Sequence, residues 1–265
     1  MPDTQAPNVL DAIVGAARRI VEVRRRAVPD AVLERHAAAQ SPGAARFEAA
    51  LRGGRARRVI AECKRRSPSR GVLRAEYDPV ALARAYARAG AVAVSVLTEP
   101  TFFDGAPDHL RAVRGAVSLP LLRKDFVIDR YQLLEARSWG ADAVLLIVAA
   151  LTQEELGTLV REAGALGLGA LVEVHNGNEL ERAIDGGARM VGVNNRDLKT
   201  LGVDTGTSTR LVGRIPPGVL AVVESGIESR DDLDRLMREG YSAFLIGERL
   251  VTAADPAAAL AELIR

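Results

Sequence analysis

Short apolar runs alternate with longer amphipathic segments from residue 58 to the end of the chain. The apolar runs are typical of strands buried on both faces, and the longer segments carry apolar residues at helical spacing. The predicted strands are Val59–Cys63, Ala91–Leu97, Pro120–Arg123, Ala143–Ile147, Ala170–Val174, Met190–Val193, Leu220–Val223 and Ala243–Ile246. The predicted helices are Pro79–Ala89, Pro107–Ala116, Arg130–Trp139, Gln153–Leu166, Asn178–Gly186, Thr207–Val212, Arg230–Glu239 and Pro256–Ile264. Eight strand–helix units predict an α/β fold, a closed (β/α)8 TIM barrel, with an open doubly wound sheet as the alternative.

Residues 1–55 precede the first strand and show a different pattern. Helical spacing runs from Leu10 to Ala27, is broken at Pro29-Asp30 and resumes from Val32 to Ala39. A third piece, Phe47–Leu51, ends at Gly53-Gly54. We therefore predict one domain over residues 1–265, with residues 1–55 as a helical extension that caps one end of the barrel or overhangs its mouth.

Composition and charge narrow the class of protein. The chain has 265 residues, close to the roughly 250 that one such barrel needs. The net charge is only +2 with opposite charges interspersed, and no apolar run approaches the roughly 18 residues that span a bilayer, so neither a nucleic-acid nor a membrane partner is expected. Cys63 is the one cysteine, which excludes an internal disulfide framework. We expect a cytoplasmic protein without a signal peptide, either a monomer or a weak homo-oligomer.

The three lysines stand out in an arginine-rich chain. Of 36 basic residues, only Lys64, Lys124 and Lys199 are lysines. A biased codon usage explains the arginines, but arginine keeps its proton in proteins whereas the pKa of a lysine can be tuned. Lys64 and Lys124 each lie just past a predicted strand, which favours a chemical role for these two.

Polar side chains follow five of the eight predicted strands, at the end where barrel enzymes carry their active sites. One such residue is more often a solvated strand end or a simple ion pair, but five strands ending in this way favour a shared site. The residues, with partners on the same strand face, are Glu62 and Lys64, Lys124 and Phe126, Glu173 and His175, Asn194 and Arg196, and Glu224.

Two glycine-bearing turns lie where barrels of this kind bind phosphate. Ser225-Gly226-Ile227 follows the seventh strand and Gly247-Glu248-Arg249 follows the eighth. Backbone N–H groups and a short helix start in these loops bind phosphate in many barrels. A lone glycine is usually only a turn residue, but two in the two expected loops favour a phosphorylated small-molecule substrate. The chain has no GxxxxGK[ST] segment, no GxGxxG after a strand, and no HxH or CxxC pattern, so we expect neither a cofactor nor a metal.

In order and spacing, these segments resemble the indole-3-glycerol-phosphate synthase family over nearly the whole chain. The segments that carry the resemblance are Ile60 to Ser69 (IAECKRRSPS), Ser95 to Glu99 (SVLTE), Phe103 to Gly105 (FDG), Leu122 to Phe126 (LRKDF), Leu171 to His175 (LVEVH), Val193 to Leu198 (VNNRDL), Glu224 to Ile227 (ESGI) and Phe244 to Gly247 (FLIG). The resemblance implies a cofactor-free ring closure that converts 1-(2-carboxyphenylamino)-1-deoxyribulose 5-phosphate to indole-3-glycerol phosphate, releasing CO2 and water.

The resemblance also implies catalytic roles. Lys124 would be the general acid on the substrate carbonyl, with its pKa lowered by burial and by cationic neighbours. Glu173 and Lys64 would serve the dehydration, and the resemblance leaves the division of labour between them open. Glu62 would orient the lysines and hydrogen-bond the substrate.

The remaining implied residues bind the substrate. Asn194 and Arg196 would hold its carboxylate and hydroxyls, Glu224 its ribulose hydroxyls, and Phe126, Leu97 and Leu245 its ring. Ser225, Gly226, Gly247 and the backbone N–H of Glu248 would hold the phosphate. Ser67 and Arg65 would lie in a mobile loop over the site. Glu248 stands where some relatives have Ser, so its carboxylate is expected to point away from the phosphate, and Asn195, which replaces Ser in some relatives, is expected to change little.

Two alternatives stay open at this stage. One is another phosphate-binding barrel such as phosphoribosylanthranilate isomerase, which would need Cys and Asp at two strand ends. Cys63 lies on the strand face opposite Glu62 and Lys64, in the wrong register, so we interpret it as a buried apolar residue. The other alternative is a non-catalytic barrel that binds a phosphorylated ligand.

Overall fold

Eight parallel strands close into a barrel in the computed structural model, which describes residues 8–53 and 57–265. The strands are β1 (Val59–Cys63), β2 (Ala93–Leu97), β3 (Leu121–Lys124), β4 (Ala143–Ile147), β5 (Gly169–Val174), β6 (Met190–Asn194), β7 (Leu220–Glu224) and β8 (Ala243–Ile246). Ile60 of β1 pairs with Leu245 of β8, so the sheet has no edge. This pairing excludes the open sheet, and the predicted barrel is confirmed.

All eight predicted barrel helices are present, and each begins and ends within one residue of its predicted bounds. They are α1 (Val9–Ala27), α2 (Asp30–Ala38), α3 (Ala44–Arg52), α4 (Pro79–Ala89), α5 (Pro100–Phe103), α6 (Pro107–Ala116), α7 (Arg130–Ser138), α8 (Gln153–Ala165), α9 (Gly177–Asp185), α10 (Gly206–Val212), α11 (Arg230–Glu239), α12 (Glu248–Val251) and α13 (Pro256–Ile264). The sequence pattern missed α5, α12, a 3-10 turn at Val148–Ala150 and a hairpin of Arg66–Ser67 with Gly71–Val72. Each is too short to show a period. Gly54 and Arg55 lie outside the described residues.

Strand alternation divides the apolar side chains between two layers. Inward-facing residues such as Ile60, Leu122 and Leu171 fill the barrel, and outward-facing ones such as Val94 and Val172 pack under the helices. Both layers exclude water, which is why the strands are nearly continuous apolar runs. A side chain that faces inward at the carboxyl end of a strand therefore lies in the mouth of the barrel rather than in its apolar interior.

Helix boundaries follow local capping chemistry. Asp78 accepts hydrogen bonds from the backbone N–H of Val80 and Ala81 at the start of α4. Glycines just after three helices adopt positive φ: 106° at Gly90, 86° at Gly140 and 120° at Gly240. These turns bring the chain from each helix back to the base of the barrel.

The helical extension covers both ends of the barrel. Val9 and Ile13 of α1 line the cavity at the mouth. Phe47 of α3 is fully buried against the inward-facing residues. Arg46 of α3 lies 2.6 Å from Asp142, just before β4, and so joins α3 to the base. The extension therefore caps the base and overhangs the mouth, whereas the sequence offered these as alternatives.

Three residues outside the mouth pack among the helices. Cys63 is buried there, where burial raises the pKa of its thiol, as expected for an apolar position. Trp139 is buried and packs against Arg123. His109 is half-buried, and its ring contacts that of Tyr77 with centroids 5.4 Å apart. None of the described helices combines the length and the apolar character that crossing a membrane requires.

Candidate active site

A cavity of about 850 Å³ opens at the carboxyl ends of the strands and gathers every predicted site residue. These residues are Glu62, Lys64, Ser67, Leu97, Lys124, Phe126, Glu173, Asn194, Arg196, Glu224, Ser225, Gly226, Leu245, Gly247 and Glu248. Strand alternation explains why they meet, since Glu62, Lys124, Glu173, Asn194 and Glu224 each lie two residues beyond an inward-facing position of their own strand. Among the described residues, no group of three or more His, Cys, Asp and Glu could hold a metal ion.

Lys124 lies at the centre of the cavity floor. Its Nζ donates to Glu173 Oε2 at 2.8 Å and to Glu224 Oε2 at 2.6 Å. Both carboxylates are almost completely buried. Burial alone would lower the pKa of Lys124, but Glu173 and Glu224 raise it above its ordinary value. The sequence-based expectation of a lowered pKa was wrong, because the nearest charged partners are carboxylates rather than cations.

The pKa values of the two carboxyl groups that contact Lys124 are shifted in opposite directions. Burial would raise the pKa of Glu173, but Lys124 and His175 hold it well below the ordinary value, so Glu173 is ionised. For Glu224, burial and the neighbouring charge of Glu173 outweigh Lys124 and raise the pKa to about 7. The pKa values of the two carboxyl groups beside Lys124 therefore differ widely. Glu173 stays ionised, and Glu224 can carry a proton near neutral pH.

Glu62 forms a second ion pair at the mouth. Its Oε1 lies 2.8 Å from Lys64 Nζ, and its Oε2 accepts a hydrogen bond from Ser95 at 3.3 Å. We expected Glu62 to orient both lysines. It pairs with Lys64, whereas the direct partners of Lys124 are Glu173 and Glu224. In the barrel, Lys124 on β3 is separated from Glu62 on β1 by one strand, whereas Glu224 on β7 extends from the opposite side of the mouth.

Two glycines make room for the buried carboxylates. A Cβ added at Gly192, on β6, would collide with Glu224 Oε1. A Cβ added at Gly247, after β8, would collide with Glu62 Oε1. The sequence suggested only a phosphate role for Gly247, and the structure adds a steric one.

The two turns predicted to bind phosphate adjoin each other at one side of the cavity. Ser225 and Gly226 have consecutive positive φ values of 66° and 73°. Such a left-handed conformation is costly for a non-glycine residue and is common at functional sites. Helix α12 begins beside them at Glu248, and its first turn leaves backbone N–H groups without partners inside the helix.

The Glu248 side chain contradicts the expectation that it leaves the site. It lines the cavity, with Oε1 2.8 Å from Arg70 Nε and Oε2 3.3 Å from Arg196 Nη2. The two guanidinium groups compensate its charge and hold it there. The hairpin that carries Arg70 is thereby joined to the turn after β8. Ser67, in the same hairpin, is buried, and its hydroxyl lies 3.3 Å from that of Ser69.

The apolar side of the cavity includes residues that the sequence analysis missed. Phe126 packs beside Phe103 of α5 with ring centroids 6.3 Å apart, and both line the cavity. Val9 and Ile13 of α1 add to this wall. The apolar stripe of α1 was visible in the sequence, but its direction relative to the barrel was not. The FDG segment that contains Phe103 was identified only as a motif.

His175 is a further residue for which the motifs implied no role. It was noted only as sharing a strand face with Glu173. In the structure its Nε2 lies 3.3 Å from Glu173 Oε1 and its Nδ1 lies 3.0 Å from Glu179 Oε2. No strand pattern predicts the second contact, since Glu179 belongs to the following helix.

Comparison with known proteins gives a consistent result. A family model described as indole-3-glycerol phosphate synthase matches residues 10–263. Indole-3-glycerol phosphate synthase of Koribacter versatilis is 47% identical over 97% of this chain and 99% of that protein. The enzyme of the same name from Syntrophobacter fumaroxidans is 48% identical over 96% of both chains.

Solved structures support the fold alone. A 3-hexulose-6-phosphate synthase superposes with a TM-score of 0.63 over 78% of this chain and 97% of that one, at 19% identity. A thiamine phosphate pyrophosphorylase from Pyrococcus furiosus superposes with a TM-score of 0.60 over 78% of this chain and 94% of that one, at 17% identity.

Proposed function

This chain belongs to the indole-3-glycerol phosphate synthase family, and we propose that Lys124, Glu173 and Lys64 carry the chemistry of that reaction at the barrel mouth. The family makes the chain a carboxy-lyase of tryptophan biosynthesis that acts on a phosphorylated small molecule. The observation that carries the assignment of residues is Lys124 Nζ on the cavity floor, held by two buried carboxylates.

Lys124 is the general acid of the ring closure. As the aromatic carbon attacks the substrate carbonyl, the carbonyl oxygen becomes an alkoxide and needs a proton. The raised pKa of Lys124 keeps it in the ammonium form that donates this proton, and the alkoxide is basic enough to take it. The positive charge left on the anilino nitrogen then drives the loss of CO2.

Dehydration needs a base for the anilino proton and an acid for the leaving hydroxyl. Glu173 is ionised, and it becomes a better base once Lys124 has donated its proton, because the charge of Lys124 helps to hold the pKa of Glu173 down. Lys64 is the ammonium group on the opposite side of the mouth, paired with Glu62, and suits the acid. Glu224 can carry a proton near neutral pH and returns one to Lys124 after each turnover.

The substrate lies across the cavity, with its two anionic ends apart. Phe126, Leu97 and Leu245 contact the aromatic ring, and Asn194 with Arg196 holds the carboxylate and hydroxyls. The phosphate lies against the turn at Ser225-Gly226 and the first turn of α12, where Gly247 and the N–H of Glu248 approach it. Backbone N–H groups at a helix start favour an anion, and the positive φ values of Ser225 and Gly226 are typical of anion-binding turns.

A lysine series tests the assignment of the general acid. Lys124→Ala is expected to lower kcat by about 10²–10⁴-fold, the usual contribution of general acid–base catalysis, with an unchanged circular dichroism spectrum. Lys124→Arg is expected to fail as well, because arginine does not release its proton at this pH. Turnover is measured with 1-(2-carboxyphenylamino)-1-deoxyribulose 5-phosphate by the fluorescence of the indole product.

Lys199→Ala is the matched control, since Lys199 is the exposed third lysine. It is expected to keep wild-type turnover. A Lys124→Ala enzyme as active as the Lys199→Ala enzyme would refute the role of Lys124.

The enzyme is also proposed to work as a monomer or weak homo-oligomer. The mouth is completed by the chain itself, because Val9 and Ile13 of α1 form part of the cavity wall. Sedimentation at several protein concentrations tests this. The cytoplasmic location, the absence of a nucleic-acid partner and the single domain over residues 1–265 stay predictions from the sequence.

A further inference from the structure

His175 lies directly behind Glu173, on the side away from Lys124. It follows β5, and its side chain is only 9% exposed. Its two ring nitrogens face two different carboxylates, Nε2 facing Glu173 Oε1 at 3.3 Å and Nδ1 facing Glu179 Oε2 at 3.0 Å. Neither Glu173 Oε1 nor His175 Nε2 has a hydrogen bond of good geometry to any described residue, so the 3.3 Å contact between them is an ion pair.

Three hydrogen bonds at the start of α9 hold Glu179 in place. It lies in the first turn of α9, and its backbone N–H donates to the side chain of the N-cap residue Asn176. The Asn176 amide donates in return to Glu179 Oε1 at 2.8 Å, and the backbone N–H of His175 donates to Glu179 Oε2 at 2.8 Å. The carboxylate is therefore held by the start of the helix, and it holds the imidazole ring in one orientation.

The facing carboxylates decide the protonation of the ring. A neutral imidazole donates from one nitrogen and presents a lone pair at the other, which would repel a carboxylate. Only the imidazolium presents an N–H group and a positive charge to both carboxylates. Burial would lower the pKa of His175, but Glu173 and Glu179 raise it to about 10, in agreement with the geometry.

We propose that His175 is a positioning residue, a permanent imidazolium that holds Glu173 ionised and keeps its Oε2 turned towards Lys124 and the substrate. The proposal rests on the role of Glu173 as the base of the dehydration. The cation behind Glu173 binds Oε1 and leaves Oε2 for the cavity, where it accepts from Lys124. A carboxylate with one fixed oxygen cannot rotate away when Lys124 turns to the substrate.

Charged groups on neighbouring elements also face His175 and Glu173. Glu179 of α9 and Asp197 of the loop after β6 face His175, which helps to lower the pKa of each. Lys124 of β3 faces Glu173 from the cavity side, and Glu224 of β7 lies beyond it. Removing the imidazolium leaves Glu173 with one cation instead of two, so its pKa must rise.

The test begins with His175→Gln, which removes the cation and keeps a polar side chain. We expect kcat to fall by about 10- to 100-fold, the range for a misplaced reacting group, with little change in KM. We also expect the pKa of Glu173 to rise, since an opposite charge nearby shifts a pKa by about 1–3 units. Carbon resonances of ¹³C-labelled enzyme follow this titration, with Glu173→Gln assigning the signal.

A double variant separates positioning from stability. His175→Gln leaves the Glu179 carboxylate without its cation and lowers Tm. His175→Gln with Glu179→Gln removes that unpaired charge, so Tm should recover while kcat does not. Recovery of kcat together with Tm would mean that His175 serves the fold alone, and would overturn the proposal.

Nuclear magnetic resonance of ¹⁵N-labelled enzyme reads the protonation directly. Histidine occurs at three positions, His36, His109 and His175, so the signal lost in His175→Gln is assigned at once. We expect two ring N–H protons on His175 at pH 8, and a single one would overturn the proposal. Glu173→Gln distinguishes the two levels of the argument. If that variant turns over normally, the role of Glu173 is wrong, whereas an inactive Glu173→Gln with a normal His175→Gln refutes only the positioning role.

Discussion

Glu224→Gln isolates the energetic cost of burying a second carboxylate beside Lys124. Glu224 is 2% exposed, and its Oε1 has no hydrogen-bond partner among the described residues. Glutamine keeps the size of the side chain and an oxygen that accepts from Lys124, but it does not titrate. The substitution therefore removes one ionisation and preserves the packing.

The sign of the effect follows from the direction of the pKa. The folded-state pKa of Glu224 is raised from 4.5 to about 7. Between these values the unfolded chain has released the proton and the folded enzyme still holds it, so stability falls as pH rises through about 7. A change of this size corresponds to about 3 kcal/mol, fully present below pH 4.5 and lost above the folded-state pKa. Glu224→Gln lacks this loss.

Urea unfolding at pH 5, 6, 7 and 8.5 measures the effect for the wild type and the variant. We expect the free energy of unfolding of the variant to rise relative to that of the wild type by about 2–3 kcal/mol from pH 5 to pH 8.5. The exposed Glu228, in the loop after β7, supplies a control in Glu228→Gln, which should run parallel to the wild type. If Glu224→Gln also runs parallel, Glu224 is ionised throughout and the argument for its proton is refuted.

Two further predictions concern the turn after β8. Gly247→Ala is expected to push Glu62 off Lys64 and lower kcat about 10-fold or more with Tm nearly unchanged, because the new Cβ would meet the Glu62 carboxylate. Glu248→Ala is expected to free Arg196 and Arg70 for the anionic substrate, so KM should fall severalfold at low salt, with the gain shrinking towards 0.5 M salt as screening increases.

Matched measurements decide both predictions. Gly213→Ala adds a Cβ where no other atom lies within 4 Å and should leave kcat unchanged. A Gly247→Ala enzyme with the same kcat as Gly213→Ala would show that Glu62 accommodates the methyl group. For Glu248→Ala, a KM that is unchanged at every salt concentration would show that neither arginine gains a contact with the substrate.

The sequence predicted the barrel and the membership of the site because both depend on short-range patterns. Strand alternation alone puts Lys124 and Glu173 on inward faces, and the carboxyl ends of parallel strands meet at one mouth. Neither step requires knowing which strand end lies opposite which. The glycines after α4, α7 and α11 could likewise be interpreted from local chemistry, since positive φ is a property of single residues.

The ion pairs were beyond the sequence because they depend on distances across the mouth. Lys124 was given cationic neighbours and a lowered pKa, but the closed barrel places Glu173 and Glu224 on it and leaves Lys64 with Glu62. Alternation says which face a residue occupies and not how far around the barrel its partner lies. The contact of His175 with Glu179 is local, between residues four apart at the start of α9, and strand alternation does not describe it because Glu179 lies beyond the strand.

The ion pairs already present at the mouth determine which cations an anionic substrate can bind at the lowest free-energy cost. Lys64, Lys124 and Arg196 each already have a carboxylate partner. An anion that binds one of these cations leaves the carboxylate partner unpaired. The free-energy cost is larger for a buried carboxylate than for a partly exposed one. Glu62 and Glu173 are buried, whereas Glu248 keeps 24% of its side chain exposed. Exchange is therefore least costly at Glu248, beside the proposed phosphate turn, and the two lysines can keep their carboxylates until the substrate carbonyl is in place.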